Sequence, residues 1–182
     1  MLFHALSAEK AVLMVIDLQE RLLRVMEEKE RVLRNTRILL ELASQHSIPV
    51  LVTEQYPEGL GRTVPEVQEK LGLYQLVEKV AFSAAVPELL EKLSHLNRPQ
   101  ILVVGTETHV CVFQTVRDLL AKGYEVYVVR DAVCSRFALN HENGLDLMKS
   151  AGAIITNTET VVFDILKKAG TEEFKVMSRL VK

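Results

Sequence analysis

Ala11-Val12-Leu13-Met14-Val15-Ile16-Asp17 sets six apolar residues in a row before a single carboxylate. Continuous hydrophobicity of this kind, with no polar alternation, is what a strand covered on both faces requires, and such strands belong to parallel sheets flanked by helices. Working outward, four more short apolar runs rich in β-branched residues stand at 48–53, 100–104, 125–129 and 153–156, with a weaker one at 76–80. Longer amphipathic stretches separate them. Leu33, Ile38, Leu39, Leu42 and Ala43 recur at helical spacing, so 28–46 reads as a long helix. Further helices are predicted at 87–96, 110–122, 139–151 and 161–169, and Thr171 is placed to cap a terminal one through Met177 and Leu180. Gly123 and Gly152 sit where left-handed helix ends are expected. Strand and helix in regular alternation predict successive βαβ units, an α/β fold with an open parallel sheet and helices on both faces. No repeat, low-complexity tract or Pro/Gly-rich linker interrupts residues 1–182, so a single domain is expected. Pro57, Gly59, Gly61 and Pro65 make 56–65 a surface loop in this reading, of the length that lids and binding loops have.

Composition narrows the classes. Twenty-two Lys and Arg against 24 Asp and Glu leave a net charge of -2, and no basic block tracks a phosphate backbone, so nucleic acid is not an expected partner. No apolar run reaches the ~20 residues of a membrane span. Residues 1–10 lack the charged-then-apolar pattern of a signal peptide, which makes the cytoplasm the expected location. Cys111 and Cys134 are expected to be free thiols there.

Ligands of an open parallel sheet bind beyond the carboxyl ends of its strands. Asp17, then Glu54-Gln55-Tyr56, then Lys79, then Gly105 to Cys111 occupy those ends. Cys111 opens a predicted helix, where free amide groups and the helix dipole favour a thiolate; the alternative is a small buried hydrophobe. Asp17 is either the N-cap of a helix over 18–25 or an acid–base group. Lys79 is either an exposed strand end or, if it meets Asp17 and Cys111, the positive charge that balances them. His109 and Cys111 lack the further ligands of a zinc site, and His4, His46, His95 and His141 read as solvated. Neither a dinucleotide fingerprint nor a G-x-S-x-G elbow is present, so no metal or cofactor is expected.

Three strings, Val15-Ile16-Asp17-Leu18-Gln19, Lys79-Val80-Ala81-Phe82-Ser83-Ala84 and Gly105-Thr106-Glu107-Thr108-His109-Val110-Cys111-Val112, resemble the isochorismatase-like cysteine hydrolases in content and order. The likeness runs from about residue 10 to 162, and Asp131-Ala132-Val133-Cys134-Ser135-Arg136 shares it as a segment that shapes the pocket. The resemblance implies a six-stranded sheet in the order 3-2-1-4-5-6. It also implies an Asp17, Lys79, Cys111 triad that hydrolyses a small C–N substrate, an amide or carbamoyl compound, through a thioester-like intermediate. The backbone amides of Glu107 and Cys111 would form the oxyanion hole, aimed by a cis Thr106-Glu107 peptide. Thr53-Glu54-Gln55-Tyr56-Pro57 stands where nicotinamidases of the family carry metal ligands, so the likeness is to a metal-free subgroup of undefined substrate, with Gln55 and Tyr56 placed to orient a small polar substrate and Tyr56 equally open to packing at a subunit contact. A cysteine argues against vinyl ether cleavage of isochorismate. Such proteins form homo-oligomers, and Phe174, Val176, Met177, Leu180 and Val181 offer either an interface or the packing face of the last helix. The alternative function is a binding or scaffold protein that keeps the fold without turnover, or a redox-responsive thiol pair.

Overall fold

The computed structural model describes residues 5–182; His4 lies outside them. Six strands, β1 (Ala11–Ile16), β2 (Val50–Gln55), β3 (Tyr74–Lys79), β4 (Gln100–Thr106), β5 (Glu125–Cys134) and β6 (Ile154–Thr156), form one sheet in the order β3-β2-β1-β4-β5-β6, every neighbouring pair parallel. The helices are α1 (Glu20–Leu23), α2 (Lys29–Gln45), α3 (Pro57–Leu60), α4 (Pro65–Gln68), α5 (Pro87–Leu96), α6 (Phe113–Ala121), α7 (Ala138–Ser150), α8 (Thr158–Leu166) and α9 (Glu172–Leu180). A five-residue π turn, Thr108–Val112, precedes α6. Proline opens α3, α4 and α5, where its missing N–H leaves no helical bond unmade. None of these helices is long and apolar enough to cross a membrane.

Central strand β1 is wholly buried and feeds two cores. Ala11, Leu13 and Val15 join the cluster under α2, α8 and α9, while Val12, Met14 and Ile16 join the one under α5, α6 and α7. Each large aliphatic side chain buried this way contributes about 1.5–3 kcal/mol, and both faces of the strand gain it.

Several elements depart from the sequence reading, and each departure has a local cause. β2 begins at Val50 instead of Ile48 and runs on through Glu54 and Gln55, because those polar side chains find buried partners across β3 and in the following loop. β4 extends to Thr106 and β5 to Cys134, since Gly105 and Thr106 pair with Val133 and Cys134 beyond an irregularity in the ladder. Asp131 to Cys134 therefore belong to β5 and do not follow it. Helix α8 starts at Thr158, where the Asn157 side chain accepts a hydrogen bond from the Thr160 N–H. Segment 56–65 is not plain surface loop: it holds α3 and buries Thr63 and Val64, with Gln19 and Thr63 forming an isolated antiparallel bridge. Thr171 caps α9 through Phe174 N–H as expected. In α9, Met177 is buried, whereas Val176 and Leu180 are 43% and 39% exposed.

Candidate active site

The carboxyl ends of β3, β2, β1 and β4 lie side by side, and the sequence puts a functional group on each. Asp17 follows β1 directly, with a left-handed backbone at φ 52°. It does not cap α1, whose N-cap position is Gln19. Its carboxylate turns inward instead, accepting hydrogen bonds from Thr53 Oγ1 at 2.6 Å and from Lys79 Nζ at 2.7 Å. Lys79 is not an exposed strand end: both side chains of this ion pair are fully buried. The lysine reaches Asp17 across β2. On the way its ammonium donates to Gln55 Oε1 at 2.7 Å and to the carbonyls of Phe82 and Ala81 at 3.1 and 3.3 Å. The Gln55 amide is engaged at both ends, since Nε2 donates to Val80 O at 2.8 Å. It positions the lysine. Tyr56 is half exposed, with its backbone N–H bonded to Lys79 O at 2.7 Å.

The nucleophile candidate arrives from β4. At Gly105, φ is 126° and a Cβ would stand 1.9 Å from Ile16 O, so only glycine lets this strand end run so close to the end of β1. Thr106 Oγ1 then donates to the Asp17 carbonyl at 2.8 Å, and the Thr106-Glu107 peptide is cis. Glu107 O accepts from the N–H groups of Val110 and Val112 at 3.0 and 3.2 Å. Its carboxylate takes the Arg136 N–H at 3.0 Å and the Arg136 Nε at 3.1 Å. Cys111 sits inside the π turn, 6% exposed. Insertions of this type into helices are frequent at functional sites.

The turn is braced from three sides. Thr115 Oγ1 donates to Cys111 O at 2.6 Å and accepts from Ala84 N–H at 2.8 Å, tying the turn to the loop after Lys79. From α7, His141 Nδ1 lies 2.9 Å from Thr108 Oγ1. From the end of β5, Ser135 Oγ lies 2.9 Å from His109 Nδ1. A Cβ on Gly144 would come within 3.0 Å of the Thr108 and His109 backbone, so α7 packs against the turn with no room to spare. His141 is thus not a solvated loop residue but a half-buried helical one, and burial pulls its pKa below 6.5. His95 is exposed at the end of α5, and His46 closes α2.

The thiol is not a preformed thiolate. Burial, then the neighbouring Asp17 charge, push the Cys111 pKa up to about 12, and a hydrogen bond to Asp17 adds to this. Lys79 and the Glu107 backbone pull the other way and are outweighed. A helix start does not rescue the thiolate, because the sulfur is buried beside a carboxylate. Sulfur, carboxylate and ammonium thus share one electrostatic unit, a thiol facing a carboxylate that a lysine holds in place. Cys134 lies on the other face of the sheet among the α2-side core residues, so the two free thiols do not form a pair.

A family model described as the isochorismatase domain matches residues 11–160. The chain belongs to the isochorismatase family. Within it, the chain is 39% identical over 183 residues to the secreted isochorismatase effector Isc1 of Phytophthora sojae, covering 97% of this chain and 87% of that protein. Among solved structures of the same architecture, the MAR1 ribonuclease of Caenorhabditis elegans superposes with a TM-score of 0.93 at 35% identity, over 98% of this chain and 92% of that one. A cysteine hydrolase from Pseudomonas syringae pv. phaseolicola superposes with a TM-score of 0.79 at 20% identity, over 91% and 96%, a likeness of fold.

The supporting cast was beyond the reach of the sequence. Gln19 donates to Gln55 O and Gly61 O at 2.9 and 2.7 Å and accepts from Gln55 N–H at 2.7 Å, joining β1, β2 and the loop. Thr53 and His141 are about as far in sequence from what they hold, and Thr115 is as far from Ala84. Only Gln19, inside the Val15-Ile16-Asp17-Leu18-Gln19 string, carried a signal.

Proposed function

We propose that this chain is a cysteine hydrolase of a small amide or carbamoyl compound, with Cys111 as nucleophile, Asp17 as the shared acid and base, and Lys79 as the charge that holds Asp17. The observation that supports this most strongly is the fully buried Asp17–Lys79 pair at 2.7 Å beside a thiol. A buried ion pair is a poor way to stabilise a fold compared with apolar side chains of the same size, so its presence beside a nucleophile argues for chemistry.

With the thiol protonated at rest, attack and proton transfer go together. As Cys111 Sγ bonds to the substrate carbonyl carbon, its proton passes to Asp17, and the carbonyl oxygen takes the negative charge toward the main-chain N–H groups of Glu107 and Cys111. The C–N bond then breaks, the nitrogen takes the proton from Asp17, and a thioester remains. Asp17 next accepts a proton from water as its oxygen attacks the thioester carbon. Collapse releases the acid, and the sulfur regains a proton from Asp17. Lys79 holds the Asp17 carboxylate in place at 2.7 Å throughout. Tyr56, half exposed beside the Lys79 strand end, is the residue best placed to face substrate.

An RNA substrate, which the name of the nematode structure raises, fits less well with a net charge of -2 and no basic run. The exposed Val80, Phe82, Phe137 and Leu139 favour a homo-oligomer that covers them. A broad panel of primary amides and carbamoyl compounds, with an oligoribonucleotide alongside, tests the reading. Rapid quench and intact-mass measurement should reveal the chain plus one acyl group, mapped to Cys111, while the RNA stays whole. Turnover with no adduct would overturn the covalent route, and none of the panel consumed by freshly reduced protein would leave the scaffold reading instead.

A further inference from the structure

On the side of the sheet away from Cys111, a cleft of about 420 Å³ runs between α2 and α9. One wall is a stripe of α2, in which Arg34, Arg37, Ile38 and Glu41 recur at the three- and four-residue spacing that puts side chains on one face. The other wall is Val176 and Leu180, one turn apart on α9. Lys70 stands 3.9 Å from Glu41. Three cations against one carboxylate make this cleft locally positive by two charges, in a chain whose total is -2.

Two features set the cleft apart from an ordinary solvated surface. Arg34 and Arg37 have neither a hydrogen bond nor a counter-ion among the described residues, although like charges three residues apart weaken a helix. Beside them the cleft is apolar: Ile38 is buried, and Val176 and Leu180 leave large aliphatic surface open. A second cavity of about 420 Å³ shares Arg34 and Ile38 but carries Glu30, Asp131 and Glu159, so the positive part of the groove ends at Arg34.

We propose that this cleft binds a small-molecule monocarboxylate with an apolar body. The carboxylate bridges the Arg34 and Arg37 guanidiniums, whose planar forks match its two oxygens. The aliphatic or aryl body lies on Ile38, Val176 and Leu180. Glu41 and the apolar wall disfavour polyanions, and the volume falls within the range of about 300–1,000 Å³ typical of ligand pockets. The site depends on no catalytic residue and stands or falls apart from the hydrolase reading.

Titration calorimetry of the full chain with sodium octanoate tests it, with 1-octanol and acetate as controls. One octanoate per chain is expected, weakened by added salt. Affinity should fall at least tenfold in the Arg34→Gln/Arg37→Gln variant and severalfold in Leu180→Ser, both with unchanged circular dichroism, and should stay at the wild-type level in Cys111→Ala. Octanol binding as tightly as octanoate, full affinity in the double arginine variant, or loss of binding in Cys111→Ala alone would each overturn the proposal.

Discussion

Cys111 and Cys134 form a natural comparison. Both are buried, at 6% and 1% exposure, and burial pushes both thiols up to about 12. By resting acidity they are indistinguishable. Their surroundings differ. Cys134 pairs with Thr106 across the β4–β5 ladder and packs into the α2-side core, where the charges that act on it are Arg31, Glu107 and Glu28, with no hydrogen bond to a carboxylate among the causes of its shift. Cys111 faces Asp17, a carboxylate that both acts on it electrostatically and accepts its hydrogen bond, and that carboxylate is fixed in turn by Lys79 and Thr53. On the proposed mechanism, what separates nucleophile from packing residue is an acceptor for the proton at the moment of attack, not a depressed pKa beforehand.

The sharpest way to break the comparison is to delete each sulfur in turn. Cys111→Ala should lower turnover by about 10³-fold or more, while Cys134→Ala should leave it within about twofold and lose stability only by the small cavity it opens. Equal losses in a kinetic assay would erase the distinction. Next in size is the ion pair. Lys79→Met leaves Asp17 buried without its partner and should cost about 3–5 kcal/mol in urea unfolding. The double variant Asp17→Asn/Lys79→Met should recover much of that stability and none of the activity, which separates the pair's chemical role from its structural one. A Cβ at residue 144 probes the brace behind Cys111 alone. Gly144→Ala pushes on the Thr108 and His109 backbone at 3.0 Å and should cost about 1–3 kcal/mol. Turnover should fall with it, while alkylation of Cys134 in the native protein stays unchanged.

The smallest effect is a pH dependence. His141 has a folded pKa below 6.5 because burial disfavours its charged form. As pH falls from 6.5 toward that folded value, the unfolded chain takes up the proton first, so stability declines on the acid side. His141→Gln, which keeps a polar partner for Thr108, should flatten that part of the decline. Unfolding midpoints at pH 7.5 and 5.5 measure it, and an unchanged slope would mean that His141 is not the group responsible.

How much of this was legible in the sequence depends on range. The Ala11–Ile16 run fixed a buried parallel strand, and the helices at 28–46 and 87–96 were placed within a residue or two, because local hydrophobic period and proline signals decide them. Asp17, Lys79 and Cys111 stood out by position at strand ends. The ends of β2, β4 and β5 did not, since Gln55, Thr106 and Asp131 are polar and read as loop until their partners across the sheet are known. Cys111's raised pKa was hidden for the same reason: a helix start is a local feature, whereas the burial and carboxylate that outweigh it come from β1 and α7. The hold of Gln55 on Lys79 was hidden likewise until Lys79 was seen to cross β2.

The alkylation rate of Cys111 as a function of pH, in a Cys134→Ala background with and without Asp17→Asn, tests the central claim most directly. Removing the Asp17 charge should move the thiol's titration below about 12, because that carboxylate raises it, and turnover should nevertheless fall by about 10²-fold or more as the proton acceptor is lost. A titration that stays put or rises in Asp17→Asn, or turnover that survives the change, would contradict the account.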